Sequence, residues 1–354
     1  MKVLGIESSC DETAAAVVED GERLLSNVVA SSMDLHVKYG GVVPEIAARS
    51  HIEVVLPVIQ QALDESGCSW DDIDGIAVTY GAGLGGSLLI GVLTARTLAI
   101  VHNKPLYAIN HVLAHVYANF LTSTPLPNLQ MRATQPTFPM LAIIVSGGHS
   151  QLALFEDHFK YRLLGQTQDD AIGEAFDKVA KILGLPYPGG PSVAKAAESG
   201  NAQKYRLPKA RLDGRYDFSF SGLKTAVLRL SQAEIGESFA FPSTGLAERL
   251  TTVQKQDIGA SFQRTAIETI VDKAKLAFEE FAPTSVVIAG GVAASSELRR
   301  QLTAALPSLA IEYPDFKLCT DNGAMIATLG CFHMKTGQPT ADPYTLDINP
   351  NLSM

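Results

Sequence analysis

The chain has 354 residues, 46% hydrophobic and 18% charged, with a formal net charge of −9. That length predicts two domains or lobes and excludes neither a large core nor an enzyme. The composition excludes wholesale disorder, a collagen-like repeat and a disulfide scaffold, and the net acidity argues against nonspecific coating of nucleic acid.

In chain order, Val3 to Ile6 reads as a strand, Glu7-Ser8-Ser9-Cys10-Asp11-Glu12 as a turn, and Thr13 to Val18 as its return. The apolar start is cut at Glu7 and is too short for a secretory signal core. Leu24 to Ala30 is a third strand. Ile73 to Tyr80 is a strand that enters Gly81-Ala82-Gly83-Leu84-Gly85-Gly86 and then a helical run. The turn matches G-x-G-x-x-G, but the next Asp or Glu after Gly86 is Glu156, so the acidic ribose contact of a dinucleotide site is missing. Leu88 to Val101 contains Arg96 and falls short of the ~20 apolar residues of a membrane span.

Pro105 to Ile109 is a strand ending at Asn110, a good N-cap for a helix to about Phe120. His111 and His115 lie four apart on one face of that helix, where they can share one metal ion. A helix N-terminus disfavours positive charge and keeps both imidazoles neutral. The same spacing also serves two structural histidines, and no Glu completes an H-E-x-x-H site. Thr122 to Pro139, with four prolines, reads as a linker.

After the linker the plan repeats. Met140 to Val145, the turn Ser146-Gly147-Gly148-His149-Ser150, and Gln151 to Phe155 form a second hairpin, and Tyr161 to Gly165 a third strand. Glu174 and Asp177 lie three apart on a helix. Pro188-Gly189-Gly190-Pro191 is a tight turn where substrate can approach the backbone. Between Lys195 and Arg229 stand eight basic and three acidic residues, either a solvated face or a docking site for a phosphate-rich partner. Thr284 to Ala289 is a strand entering Gly290-Gly291-Val292-Ala293-Ala294, followed by a helix over Ser296 to Leu306. Asp321 stands at the start of a last helix, as an N-cap or as a third metal ligand. No two of Cys10, Cys68, Cys319 and Cys331 sit at C-x-x-C spacing, which suits a reduced, cytoplasmic compartment.

This duplication predicts an α/β protein with two matching lobes around a cleft. Its small-residue turns are either plain tight hairpins or phosphate cradles. The expected division is an N-terminal lobe at 1–121, the linker at 122–139, and a C-terminal lobe at 140–321 with a helical insertion at about 185–257. The segment 322–354 would then pack back on the first lobe. Asp321 would meet the histidines across the cleft. Glu7, Asp11 and Glu12 are candidates for a base, a supporting partner or a turn cap.

Read together, the motifs resemble the tRNA N6-adenosine threonylcarbamoyltransferase family (TsaD type, formerly classed as O-sialoglycoprotein endopeptidases). The residues that carry the resemblance run in order over essentially the whole chain. They include Gly5 to Thr13, Pro44-Glu45-Ile46-Ala47-Ala48-Arg49, His111 to His115, Val145 to His149, Gly173 to Lys178, Tyr187 to Pro191, Phe220 to Thr225, Gly290-Gly291-Val292 and Thr320-Asp321-Asn322-Gly323. The resemblance implies a duplicated actin-like, sugar-kinase-like ATPase fold with two RNase H-like lobes. It implies one divalent ion, Fe2+ or Zn2+, on His111, His115 and Asp321. It implies substrate contacts at Ile144, Val145, Ser146, Gly147, Gly148, Asp177 and Gly190, and at Ser295, where the family pattern has Asn.

The reaction implied is transfer of a threonylcarbamoyl group from threonylcarbamoyl-AMP to the N6 amine of the adenosine beside the anticodon of tRNA, with ATP or ADP able to use the same cleft. Asp11 and Glu12 are the candidates for accepting the amine proton. Implied partners are an inactive paralogue that forms a heterodimer and a small ATPase, with a homodimer as an alternative and no membrane. Two rival readings are a metalloprotease, which needs a carboxylate base beside the histidines, and a regulatory ATPase of the same fold.

Overall fold

The apolar runs form two sheets in the computed structural model, which describes residues 1–309 and 311–354. β1 (Lys2–Glu7), β2 (Glu12–Glu19), β3 (Arg23–Ser31), β4 (Gly75–Gly81) and β5 (Leu106–Asn110) form the first, in the order β3-β2-β1-β4-β5. β6 (Met140–Val145), β7 (Ser150–Asp157), β8 (Lys160–Gln166) and β9 (Ser285–Ala289) form the second, in the order β8-β7-β6-β9. Each begins with an antiparallel hairpin, Gly5 opposite Ala16 and Ala142 opposite Ala153, and β1 then pairs in parallel with β4. The second sheet repeats the first less its fifth strand. Leu4 and Ile6 of β1, and Leu141, Ile143 and Ile144 of β6, are fully buried. Central strands covered on both faces read as continuous apolar runs for that reason.

The α-helices among the described residues are α1 (Met33–Val37), α2 (Pro44–Ser66), α3 (Gly85–His102), α4 (His111–Tyr117), α5 (Ile172–Leu183), α6 (Gly189–Ala197), α7 (Ser221–Glu234), α8 (Leu246–Arg249), α9 (Thr252–Phe281), α10 (Ser296–Ala305) and α11 (Gly323–Lys335). The region 185–257 holds α6, α7, α8 and the start of α9.

The chain divides into two units: Met1–Pro136 with Ile288–Gly290 and Glu312–Met354, and Thr137–Val287 with Gly291–Ile311. This corrects the division expected from sequence. The second unit stops short of Asp321, so both histidines and Asp321 lie in one unit. α11 packs closely on the first sheet. A Cβ on Gly5 would fall on the backbone of Ala327, and one on Gly323 on the backbone of Ala15. Most of the proline-rich stretch also belongs to the first unit, where Arg132 donates to Asn119 Oδ1 at 3.2 Å and to the Glu312 carbonyl at 2.9 Å.

α3 is the one helix among the described residues long and apolar enough to cross a membrane, and 33% of it is buried. Four of the eight basic residues between Lys195 and Arg229 are ion-paired. Lys204 pairs with Asp257 at 2.7 Å, Lys209 with Asp272 at 2.6 Å, Arg215 with Glu280 at 3.1 Å and Lys224 with Asp170 at 3.3 Å. Three of those acids come from α9, far along the chain.

Candidate metal centre

The Asn110 side chain accepts from the Leu113 N–H at 3.1 Å and starts α4 at His111. One turn on, His115 lies beside it, with ring centroids 4.8 Å apart and planes at 81°. The cap of α11 is not Asp321 but Asn322, whose Oδ1 accepts from the Met325 N–H at 3.1 Å. Asp321 is therefore released from capping. Its Oδ1 stands 3.6 Å from His111 Nε2 and 3.2 Å from His115 Nε2. One ligand atom from each of the three lies within 4.8 Å of the others.

Glu7 orients His111 from behind. It is fully buried at the end of β1, with Oε2 3.2 Å from His111 Nδ1. The Ser9 hydroxyl also reaches that nitrogen at 3.1 Å, and Thr79 of β4 donates its hydroxyl proton to Glu7 Oε2. Burial opposes the charge on Glu7, but His111 and Ser9 outweigh it and hold the carboxyl below its ordinary range. Burial likewise opposes a proton on His111, but Asp321 and Glu7 prevail and raise its pKa to about 9. A field that draws a proton this strongly draws a metal cation by the same attraction.

His115 decides whether these residues suit a metal. It is buried; its Nδ1 has no hydrogen-bond partner, and its Nε2 has only the Asp321 carboxylate at 3.2 Å, out of hydrogen-bond geometry. Unpartnered buried imidazole nitrogens are costly unless a ligand takes them up. Two imidazole nitrogens and one carboxylate oxygen form a donor set suited to Fe2+ or Zn2+ with open positions, so the residues fit the group.

The β1–β2 turn adds two further carboxyls. Burial, then Asp321 and Asp11, raise the pKa of Glu12 to about 9, and the Glu12 carboxyl hydrogen-bonds Asp11. Burial is the larger cause, and the Asp321 charge adds to it. The Asp11 backbone carbonyl accepts from the Ser32 hydroxyl at 2.8 Å, which fixes the turn beside Glu12. Burial and Asp11 push the Cys10 thiol up, so it is no nucleophile.

A cavity of about 370 Å³ lies in the second unit. The N-terminal ends of three helices line it: Gly173 of α5, Gly190 and Pro191 of α6, and Ser295 and Ser296 at the start of α10. Free N–H groups at helix N-termini suit anionic oxygens. The Gly147 turn and the Asp177 side chain complete its polar wall. Burial raises the pKa of Asp177, although the Gly189 N–H binds its Oδ1 at 2.7 Å. By contrast, the 81–86 turn is no open cradle. A Cβ on Gly83 would meet the Ser9 carbonyl, and one on Gly81 the Asn349 carbonyl.

The sequence model of the TsaD family, tRNA N6-adenosine threonylcarbamoyltransferase, matches residues 23–328. The chain belongs to this family. The enzyme of that name from Thermomicrobium roseum is 49% identical over 334 residues, covering 92% of this chain and 90% of that protein. The one from Dehalococcoides mccartyi strain BAV1 is 46% identical over 354 residues, covering 100% and 99%. Solved structures agree on the fold. Component A of the (R)-2-hydroxyglutaryl-CoA dehydratase of Acidaminococcus fermentans is 15% identical with a TM-score of 0.51, over 95% of this chain and 99% of that one. Full-length HypF, in a phosphate- and nucleotide-bound form, is 12% identical with a TM-score of 0.55, over 96% of this chain and 47% of that one. The fold is the duplicated actin-like α/β fold.

Of the contacts that the TsaD resemblance implies, Gly147, Asp177, Gly190 and Ser295 line the cavity. Ile144 and Val145 do not offer their side chains, which are fully buried in β6. Ser146 turns inward on its own loop, its Oγ accepting from the His149 N–H at 3.0 Å and its carbonyl from the Gly173 N–H at 3.2 Å. Gly148 is exposed beside it. The Ser295 hydroxyl caps α10, accepting from the Leu298 N–H at 3.3 Å. Sequence reasoning missed Phe176 and Gln263 in the cavity wall, and Thr79 behind Glu7. Gln263 lies midway along α9, and only its buried Oε1, with no hydrogen-bond partner, singles it out.

Proposed function

We propose that this chain transfers the threonylcarbamoyl group from threonylcarbamoyl-AMP to the N6 amine of the adenosine adjacent to the anticodon of tRNA, and that it does so with a divalent ion held by His111, His115 and Asp321. The observation that carries the metal reading is the convergence of these three side chains around a buried His115 whose Nε2 faces only the Asp321 carboxylate, without hydrogen-bond geometry. When bound, Fe2+ or Zn2+ supplies Lewis acidity and a template for anionic oxygens. Glu7 fixes the orientation of the His111 ring through Nδ1, leaving Nε2 toward Asp321.

In the second unit, the helix N-termini around Gly147, Gly190 and Ser295 are suited to the phosphate and carboxylate oxygens of the donor or of ATP or ADP. Asp177, held at one oxygen by Gly189, can receive a hydroxyl or amine of the substrate at the other. The amine proton goes to Asp11, directly or through water, with Glu12 sharing its hydrogen bond. Orientation of donor and tRNA supplies much of the rate. A zinc-protease role would need a carboxylate free to activate water, and Glu7 is spent on His111, Thr79 and Ser9. The family's partners, a paralogue and a small ATPase, and a cytoplasmic location complete the proposal.

The test is incubation with unmodified tRNA, threonine, bicarbonate, ATP and an adenylate-forming enzyme, with and without the partner proteins, followed by nucleoside analysis. Threonylcarbamoyladenosine should appear with the native chain. Asp321→Ala should lose the bound metal and at least ~100-fold of transfer, while its melting temperature matches that of the metal-free native chain because Asn322 still caps α11. Full transfer by metal-stripped protein would remove the metal from the proposal.

A further inference from the structure

Arg96 is the one charged residue in α3 and lies on a helix whose other side chains are almost all apolar. Each of its three guanidinium nitrogens donates one hydrogen bond. Nε donates to the Pro343 carbonyl at 2.6 Å, Nη2 to Tyr344 at 2.6 Å and Nη1 to Leu346 at 3.1 Å. A planar fork of donors is suited to gripping three carbonyls of one segment at once. The gripped segment follows α11 and runs along the first unit. Ala341 N–H donates to the Leu106 carbonyl of β5 at 2.7 Å, and Asn349 N–H to the Tyr80 carbonyl of β4 at 2.7 Å.

Beyond Asn349 the segment reaches the metal centre by two routes. Pro350 accepts from the Gly83 N–H at 3.1 Å, and the adjoining Leu84 N–H donates to the Ser9 carbonyl at 2.7 Å. The hydroxyl of Ser9 is the group that touches His111 Nδ1. Along the other route, Ser353 accepts from Asn110 Nδ2 at 3.0 Å, while Oδ1 of the same amide caps the helix that carries both histidines. One side chain thus ties the segment to the start of α4.

We propose that Arg96 and the segment 343–353 form a positioning strap that sets the metal affinity of the His111, His115 and Asp321 site. None of these residues is a ligand. They fix Ser9 and Asn110, which in turn fix the position and ring orientation of His111. Groups outside the ligand sphere that orient it typically account for 10–100-fold in affinity. The inference rests on the metal reading above.

The experiment measures Zn2+ affinity by chelator competition and the visible absorption of bound Co2+, on the full chain, on a variant lacking residues 347–354, and on Arg96→Ala and Arg96→Lys. The deletion should weaken Zn2+ about tenfold and shift the Co2+ bands while unfolding remains cooperative. Arg96→Ala should weaken it several-fold, with Arg96→Lys between it and the native chain. A folded deletion variant with native affinity and spectrum would overturn the strap. If the deletion does not fold, Arg96→Lys decides by the same two readings. A native chain that takes up neither ion overturns the metal reading and the strap together, whereas native uptake with unaltered variants sinks the strap alone.

Discussion

In the first unit the β1–β2 turn and the Gly-rich turn after β4 are crowded by their own chain, whereas in the second the corresponding turns stand open. Gly83, at φ +156°, has room for no Cβ beside the Ser9 carbonyl, and Gly91 has none beside the Ser8 hydroxyl. Gly147, Gly148 and Gly291 have no atom within 4 Å of where a Cβ would be. The same small residues at the same places in the two sheets do two jobs. In the first unit they allow backbones to cross closely and so hold a rigid ligand set. In the second they leave open space beside the turns, where the proposed donor would sit.

Adding one methyl group to each turn separates those jobs. Gly83→Ala should cost about 2 kcal/mol or more, from the Cβ clash and the backbone strain, and should loosen metal binding through Ser9. Gly147→Ala should stay within about 0.5 kcal/mol of the native chain but raise the KM for the adenylate donor. Denaturant unfolding and steady-state kinetics read the two effects. Equal stability losses at both positions would erase the contrast between a packed and an open turn.

Acid–base behaviour sharpens the contrast. The first turn carries Glu7, Asp11 and Glu12, while Ser146 to His149 holds no carboxylate. Burial, with Asp321 and Asp11 beside it, pushes the Glu12 carboxyl in the folded chain up to about 9 from its ordinary 4.5. Between those values the folded state keeps a proton that the unfolded state has released. Its stability contribution is therefore complete below about pH 4.5 and is lost as pH rises toward 9, by up to about 1.4 kcal/mol per unit. Glu12→Gln should flatten the fall in unfolding free energy of the metal-free chain between pH 5 and 9, and Ser146→Ala should not. Parallel profiles for the native chain and Glu12→Gln would show that this carboxyl does not hold its proton.

Much of this was readable from the residues. The two hairpins, their third strands, the strand–Gly–helix units and the His111–His115 face all follow from apolar period, caps and turns. The sequence left Asp321 divided between cap and ligand, and only the geometry of Asn322 assigns the cap elsewhere. Which glycines are filled was not legible, because that depends on residues distant in the chain: Ser9 at Gly83, Ser8 at Gly91, and Asn349 and Leu352 at Gly81. Arg96 was visible as a break in an apolar run, but its partners are backbone carbonyls, which no side-chain pattern announces. The boundary ahead of Glu312 was not legible, because it rests on contacts such as Arg132 with the Glu312 carbonyl, 180 positions apart.

Charge shows the same limit and yields the smallest expected effect. Residues 195–229 look basic in one dimension, but in the second unit Asp257, Asp272 and Glu280 of α9 face them. Arg215 is bound to Glu280 at 3.1 Å, and Tyr216 donates its hydroxyl to the same carboxylate at 2.6 Å. Arg211 is exposed and has no ion pair among the described residues. If the segment contacts the tRNA backbone, Arg211→Glu should weaken binding a few-fold and lower the salt slope by about 1, since a cation available to phosphate releases about one counterion. Arg215→Glu should alter binding less and stability more, because it sets a carboxylate against Glu280. Anisotropy titrations with tRNA at several salt concentrations, paired with melting curves, distinguish the two. An Arg211→Glu chain with native affinity and slope would place the tRNA surface elsewhere and leave the open turns of the second unit to the donor alone.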